Sequence, residues 1–431
     1  MTLSSINIKK NMLLIYILMV IFCILMPFFS IFFQIILLFI FCIALMYSAK
    51  EYGVLHPLSW FPIFFFLYVF AFPVYQYLDN QVTVDTMKLI PIGLLALIGF
   101  STPLVFLNQK IELPVVKDDN KIINLLWCII AFICVFLIIY VFKMGVSSKR
   151  EFLDNIGGLG GLFAVFSILP ALFCLKVIKH KKIDFFDPYF YGTLVLLIVA
   201  FGVTGERDYI FRYFLFLFLI YFTYKKYRPI YLILSVIFAF VVMPFTQLLK
   251  GYLISDDKNY SEYSLDLNEI FYGEFFSAGR NLHYIISKNE NLHWGETIIW
   301  DVKRFLSFIF PNQESTGSWF NNTYRVQYGN YGDSGWGFSL IAEGYLNFSY
   351  FGVFIIYFTV GFITYKICKM ANKNSFLFLY YLMYIPVVIY VTRADLANYL
   401  SLTFKINLFF ILFIYVLMKI VGKLGKSSLR V

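Results

Sequence analysis

The run MLLIYILMVIFCILMPFFSIFFQIILLFIFCIALMYS, residues 12–48, holds no Lys, Arg, Asp or Glu. A helix that crosses a bilayer needs about 20 mostly apolar residues, within a range of about 17–25. The run divides at Ser30 into two pieces of that length, 12–29 and 31–48. Lys9 and Lys10 precede the first piece as they would in a signal peptide, but no small-residue cleavage site follows. It reads as a retained helix. The same measure, carried along the chain, gives spans at 61–78, 87–107, 122–142, 161–178, 188–204, 209–224, 231–249, 350–367, 375–392 and 402–421. The expected fold is an all-α polytopic membrane protein with about twelve transmembrane helices. Internal Pro73, Pro103, Pro170, Pro244 and Pro386 are expected to kink their helices, which a bundle tolerates when neighbours satisfy the freed backbone.

Composition agrees. Apolar residues make up 61% and charged residues 14% of the 431, against about 45–50% and 25% in soluble domains. The net charge of +10 does not indicate nucleic-acid binding, because the basic residues lie in short segments between apolar runs. There they set membrane orientation. Of six cysteines, five fall inside apolar runs and Cys368 sits at a basic helix end, so no disulfide framework or metal pair is expected.

Lys and Arg alternate between connecting segments. Lys9 and Lys10, Lys50, Lys110 to Lys121, Lys176 to Lys182, Lys225 to Arg228, Lys366 to Lys373 and Lys419 to Arg430 fall in one set. The short loops of the other set are poorer, with Lys143, Lys149 and Arg150 as their main cluster. The richer set is expected in the cytoplasm, with both termini. Three regions follow: helices 1–9 over 1–249, a large external loop over 250–336, and a re-entrant or helical segment with helices 10–12 over 337–431. The loop holds Trp294, Trp300, Trp319 and Trp336, four of the six tryptophans. Leu267 to Ile286 and Ile298 to Ile309 follow helical spacing there, as short amphipathic helices lying on the membrane surface would. Pro311 to Gly335 reads as irregular.

Charge near a span is costly and usually functional. Thr204-Gly205-Glu206-Arg207-Asp208 forms a tight external turn, with Arg212 just beyond. Arg393 and Asp395 occupy another external turn. Arg280 and His283, three residues apart, share a helical face. Glu343 sits in an apolar, glycine-flanked segment before the tenth span. The plain alternatives are an arginine that snorkels to the headgroups, a solvated loop histidine for His283 or His293, and a carboxylate that only partners an arginine. No Walker loop, HExxH, GxSxG or CxxC motif is present, and the external segments lack Asp-x-Asp. External arginines beside an aromatic loop suit a lipid-linked pyrophosphate, whose leaving group bidentate guanidinium can stabilise. No metal or cofactor is expected.

The stretch Ser334-Gly335-Trp336-Gly337-Phe338-Ser339-Leu340-Ile341-Ala342-Glu343-Gly344-Tyr345-Leu346-Asn347-Phe348-Ser349-Tyr350-Phe351-Gly352-Val353 resembles the signature of bacterial O-antigen and capsule repeat-unit polymerases of the Wzy type. The Arg207 turn and the Thr392-Arg393-Ala394-Asp395 turn are similar to patterns of that family. Ten residues separate Arg150 from Gly161, a spacing described for some members, whereas eleven separate Arg325 from Gly337.

The resemblance implies a metal-independent membrane glycosyltransferase of the GT-C type. Such an enzyme joins undecaprenyl-pyrophosphate-linked glycan units at the periplasmic face of the inner membrane. It works in membrane lipid, in one pathway with a flippase and a chain-length regulator, without nucleic acid. On this reading Arg207, Arg280, Arg393 and Arg212 bind pyrophosphate. Glu343, or secondly His283, is the base for the acceptor hydroxyl. Arg150, Arg325, Trp319 and Trp336 touch glycan. An O-antigen ligase shares the long loop and lipid-linked donor, and a loop histidine matters in that family. A flippase usually lacks such a loop and shows related halves, and no internal repeat is present here.

Overall fold

The computed structural model describes residues 3–107, 109–115, 120–144, 163, 165–204, 206–225, 227–254, 275–324 and 337–427. Arg150, Gly161, Gly205, Arg325 and Trp336 lie outside the described residues, as does the start of the first expected loop helix at Leu267. All regular structure among the described residues is helical. Among the described residues the chain begins with α1 (Leu3–Leu25), α2 (Ile31–Ala49), α3 (Pro57–Leu78), α4 (Val84–Leu104), α5 (Asn120–Met144), α6 (Val165–His180), α7 (Pro188–Thr204), α8 (Asp208–Tyr224) and α9 (Pro229–Ile254). Three short helices of the long loop follow: α10 (Phe276–Ser287), α11 (Glu296–Phe305) and α12 (Thr316–Tyr324). The chain re-enters the bundle as α13 (Leu340–Ala371) and α14 (Ser375–Tyr390). A turn of 3-10 helix at Val391–Arg393 leads to α15 (Leu396–Leu400), which runs through a π-helical stretch, Ser401–Asn407, into α16 (Leu408–Ser427).

Eight of these stretches are long and apolar enough to cross a membrane: Lys10–Phe28, Ile31–Tyr52, Pro57–Leu78, Val84–Leu104, Lys121–Met144, Leu340–Ala371, Ser375–Arg393 and Leu396–Ile420. The other four expected spans coincide with α6, α7, α8 and α9. The first three of these are apolar helices of 16, 17 and 17 residues.

The bundle is layered. α3, α4 and α14 are buried along most of their length, whereas α1, α5 and α16 leave most of theirs uncovered. Their uncovered side chains are large and apolar, Ile24, Phe132, Phe142 and Phe409 among them, as lipid contact demands. α13 lies along α4 and also packs on α14. The ends are capped locally. Thr83 and Thr86 form a reciprocal capping box at the start of α4, and Asn374 accepts from the Leu377 amide at 2.9 Å to start α14. Each supplies an acceptor for an otherwise orphaned first-turn amide.

The helices run on through Pro73, Pro103, Pro170 and Pro386. α13 instead breaks without proline, at Phe348 (φ −139°, ψ 27°) and Ser349 (φ 54°, ψ −139°). The halves on either side of the break meet where both lack a side chain. A Cβ on Gly352 would collide with the Gly344 carbonyl oxygen. Glycine at 352 therefore lets the two backbones touch across the corner.

Candidate active site

Three carboxyl groups from distant parts of the chain meet where the loop helices dock on the bundle. Asp301 comes from α11, Glu343 from the first half of α13 and Asp395 from the position that caps α15. Their local roles differ, but all serve the same helix start. Leu396 N–H donates to Glu343 Oε2 at 2.9 Å, Ala397 N–H to Asp301 Oδ2 at 3.0 Å and Asn398 N–H to Asp395 Oδ1 at 2.8 Å. The first three amides of α15 thus each take a different carboxylate. A helix start has orphaned donors and a partial positive charge, so acids are drawn to it. The start of α12 is handled in the same way: Thr316 N–H donates to Asp301 Oδ1 at 2.7 Å and Gly317 N–H to Asp395 Oδ2 at 3.2 Å. A Cβ at residue 317 would sit 2.6 Å from Asp395 Oδ2, so glycine there lets the carboxylate in.

The cluster is closed to solvent, with Asp301 and Glu343 at 0% exposure and Asp395 at 2%. Burial, and next the charge of Asp395, push the Asp301 carboxyl up to about 6 against the pull of the two amides it accepts from. Glu343 Oε1 is buried without a hydrogen-bond partner. Around the carboxylates the loop is laced to α13. Asn347 Nδ2 donates to Thr297 Oγ1 at 2.7 Å, Gly295 N–H to Asn347 Oδ1 at 2.9 Å and His293 N–H to the Leu346 carbonyl at 3.0 Å.

The expected arginines divide into two groups. Arg280 is buried on α10, its Nε and Nη2 both donating to Asn281 Oδ1 at 3.3 Å. Asn281 Nδ2 in turn donates to the Gly337 carbonyl. Gly337 also lies against the Arg393 carbonyl, which a Cβ there would approach to 3.0 Å. The elements bearing Arg280 and Arg393 therefore meet at Gly337, and α10 packs on the Arg393 turn. Each guanidinium rests near an aromatic ring, Arg280 5.6 Å from Phe276 and Arg393 5.0 Å from Tyr390. Arg207 precedes α8 as its N-cap and Arg212 lies within α8, which packs mainly on α6 and α7. Arg212 pairs with Asp208 and donates from Nη1 to Ser167 Oγ at 2.8 Å, so it ties α8 to α6.

The histidines also part. His283 reaches α3 and α4, with Nε2 3.4 Å from Thr83 Oγ1 and the ring 5.1 Å from Phe72, while Nδ1 is buried without a partner. Burial lowers its pKa, and the nearby Asp85 acts in the opposite direction. His293 packs edge-on to Trp319 at 5.1 Å and Trp300 at 5.8 Å.

Glu343 and Arg393 stand out in the sequence, whereas Asp301 does not. A signal was present: Thr297 and Asp301 are one helical turn apart and both fully buried. α11 turns this polar stripe inward and leaves Ile299 and Val302 uncovered.

A family model described as O-antigen polysaccharide polymerase Wzy matches residues 8–424. No curated protein and no solved structure matches the chain.

Proposed function

Since the chain belongs to the O-antigen polysaccharide polymerase Wzy family, we propose that it joins undecaprenyl-pyrophosphate-linked repeat units at the periplasmic face of the inner membrane. The growing glycan is the donor, and a hydroxyl of the next lipid-linked unit attacks its anomeric carbon as pyrophosphate leaves. The meeting of α10 and the Arg393 turn at Gly337 carries this reading, because it brings two guanidinium-bearing elements together under the long loop. Arg280 and Arg393 hold the pyrophosphate, with Arg207 as a third contact. Planar forks match phosphate oxygens and keep their charge in low dielectric, so charge on the leaving group is stabilised without a metal. Arg212, engaged with Asp208 and Ser167, holds the turn from which Arg207 projects.

His283 is the better base. Burial favours its neutral form, which can accept a proton, and it stands one helical turn from Arg280. Glu343 is fully enclosed and hydrogen-bonded to the Leu396 amide. A base must reach the hydroxyl it deprotonates, so Glu343 instead positions the segment that carries Arg393. Trp319, with Arg150 and Trp336 outside the described residues and Arg325 likewise, remains the proposed glycan contact. The pathway's flippase and chain-length regulator are the proposed partners, and the architecture is of the GT-C type.

Deletion of the gene should leave lipid A core carrying a single repeat unit on a lipopolysaccharide gel. Naked core with lipid-linked polymer accumulating would assign a ligase instead, and loss of all external units a flippase.

Twelve crossings with both termini cytoplasmic are part of the same proposal, supported by the alternation of Lys and Arg between loops. Alkaline phosphatase fused after Ser287 should be active and after Lys182 inactive. The reverse pattern would invert the topology.

A further inference from the structure

A cavity of about 680 Å³ opens at the end of the bundle remote from the loop helices. It lies between the end of α2, the turn that leads into α3, the segment after α4, and the junction of α8 with α9. α10, by contrast, touches the opposite ends of α3 and α4, through Phe72 and Thr83. Lys50, Lys110, Lys225 and Arg228 line the cavity, and Glu51 is the one acid among its lining residues. All four cations are exposed. None has an ion pair or side-chain hydrogen bond among the described residues.

The floor is rigid. Ser59 Oγ donates to the Gly53 carbonyl at 2.9 Å, and Tyr227 O–H to the Ser59 carbonyl at 2.9 Å. Buried His56 links the start of α3 to the Leu107 carbonyl at 3.2 Å, and Tyr381 O–H donates to the Leu55 carbonyl. The backbone under the cations is therefore fixed by four side chains. Tyr47, Phe222 and Ile230 supply an apolar margin on one side.

We propose that this cavity binds the phosphate of an anionic phospholipid, headgroup inward and acyl chains along Tyr47, Phe222 and Ile230. Four cations set against one acid favour a phosphate over a zwitterion. Basic pockets between transmembrane helices bind anionic headgroups, each Lys or Arg contributing about 1 kcal/mol near a charged surface. The apolar margin favours a lipid over a free anion, since only a lipid uses it. The inference rests on the chain being a membrane protein and not on its reaction. Its readout is binding to the purified protein, so it can fail while the polymerase assignment stands, and the reverse.

The test uses full-length protein, delipidated in detergent and offered equal phosphatidylglycerol and phosphatidylcholine of matched chains, with native mass spectrometry as the readout. The wild type should retain phosphatidylglycerol preferentially. Lys50→Gln with Arg228→Gln should cut that preference by about 30-fold, and Lys110→Gln with Lys225→Gln should do the same. Lys303→Gln, on α11 at the opposite end of the bundle, should leave it unchanged. Equal retention of the two lipids, or cavity variants that bind like wild type, would overturn the proposal. Displacement of the lipid by excess inorganic phosphate would overturn the lipid and assign a free anion.

Discussion

Arg280→Lys and Arg393→Lys should each slow repeat-unit joining by about 100- to 1,000-fold, leaving mostly single-unit chains in cells at matched expression. Lysine keeps the charge but loses the planar fork. At Arg280 the fork holds Asn281 Oδ1 with Nε and Nη2 together. An ammonium cannot reproduce that two-nitrogen hold, so the group would lose its fixed orientation. At Arg393 the flat group rests over Tyr390, an arrangement that suits guanidinium better than a compact, strongly hydrated ammonium. The loss should persist with purified protein and lipid-linked units in excess chelator, where the wild type remains active. Wild-type chain lengths from either variant would remove that arginine from the proposed site, and activity restored to the wild type only by added metal would remove the metal-free mechanism.

Asp301→Ala should destabilise the protein by about 2–6 kcal/mol, at about 1–3 kcal/mol for each buried amide left without a partner. The two amides are those of Thr316 and Ala397. Folded domains hold only about 5–15 kcal/mol in all, so this variant should lose its loop docking and its long chains together. The pH dependence has a defined sign. Asp301 sits at about 6 in the folded protein against an ordinary value of 3.8, so the folded state binds the extra proton between those limits. Stability is therefore gained as pH falls through about 6 and lost as it rises. Tm in detergent should rise as pH is lowered from neutrality towards 5, and Asp301→Asn should flatten that slope. A Tm that rises with pH across this window in the wild type would contradict the assignment. Glu343→Gln keeps an acceptor for the Leu396 amide and should retain near-wild-type chain lengths. A severe loss there would return Glu343 to the role of base.

The helices were legible because apolar runs of membrane-spanning length state them directly, as residues 12–48 do. α11 was legible as well, from Ile298, Ile299 and Val302. The corner at Phe348 and Ser349 was not, because no proline marks it. Its cause is the contact between Gly344 and Gly352, which local spacing does not reveal. Glu343, Arg280 and Arg393 could be singled out by the cost of charge beside a membrane, and the structure brings the elements bearing the last two together. The sharing of the α15 amides among Asp301, Glu343 and Asp395 could not be read. It joins three distant segments, and each acid alone looks like a cap or a loop charge. Arg212 met the same rule as Arg393, and its contacts with Asp208 and Ser167 could not be read from it.

The start of α15 also sets an order of assembly. Its first three amides find two of their acceptors, Asp301 and Glu343, on segments made earlier, one of them in the long loop. Until that loop has folded back, the Ala397 amide stands without its acceptor, an expensive condition wherever water is scarce. Docking of α11 on the start of α15 must then wait until synthesis has passed residue 398. A helix made late thus completes the fold of a loop made well before it.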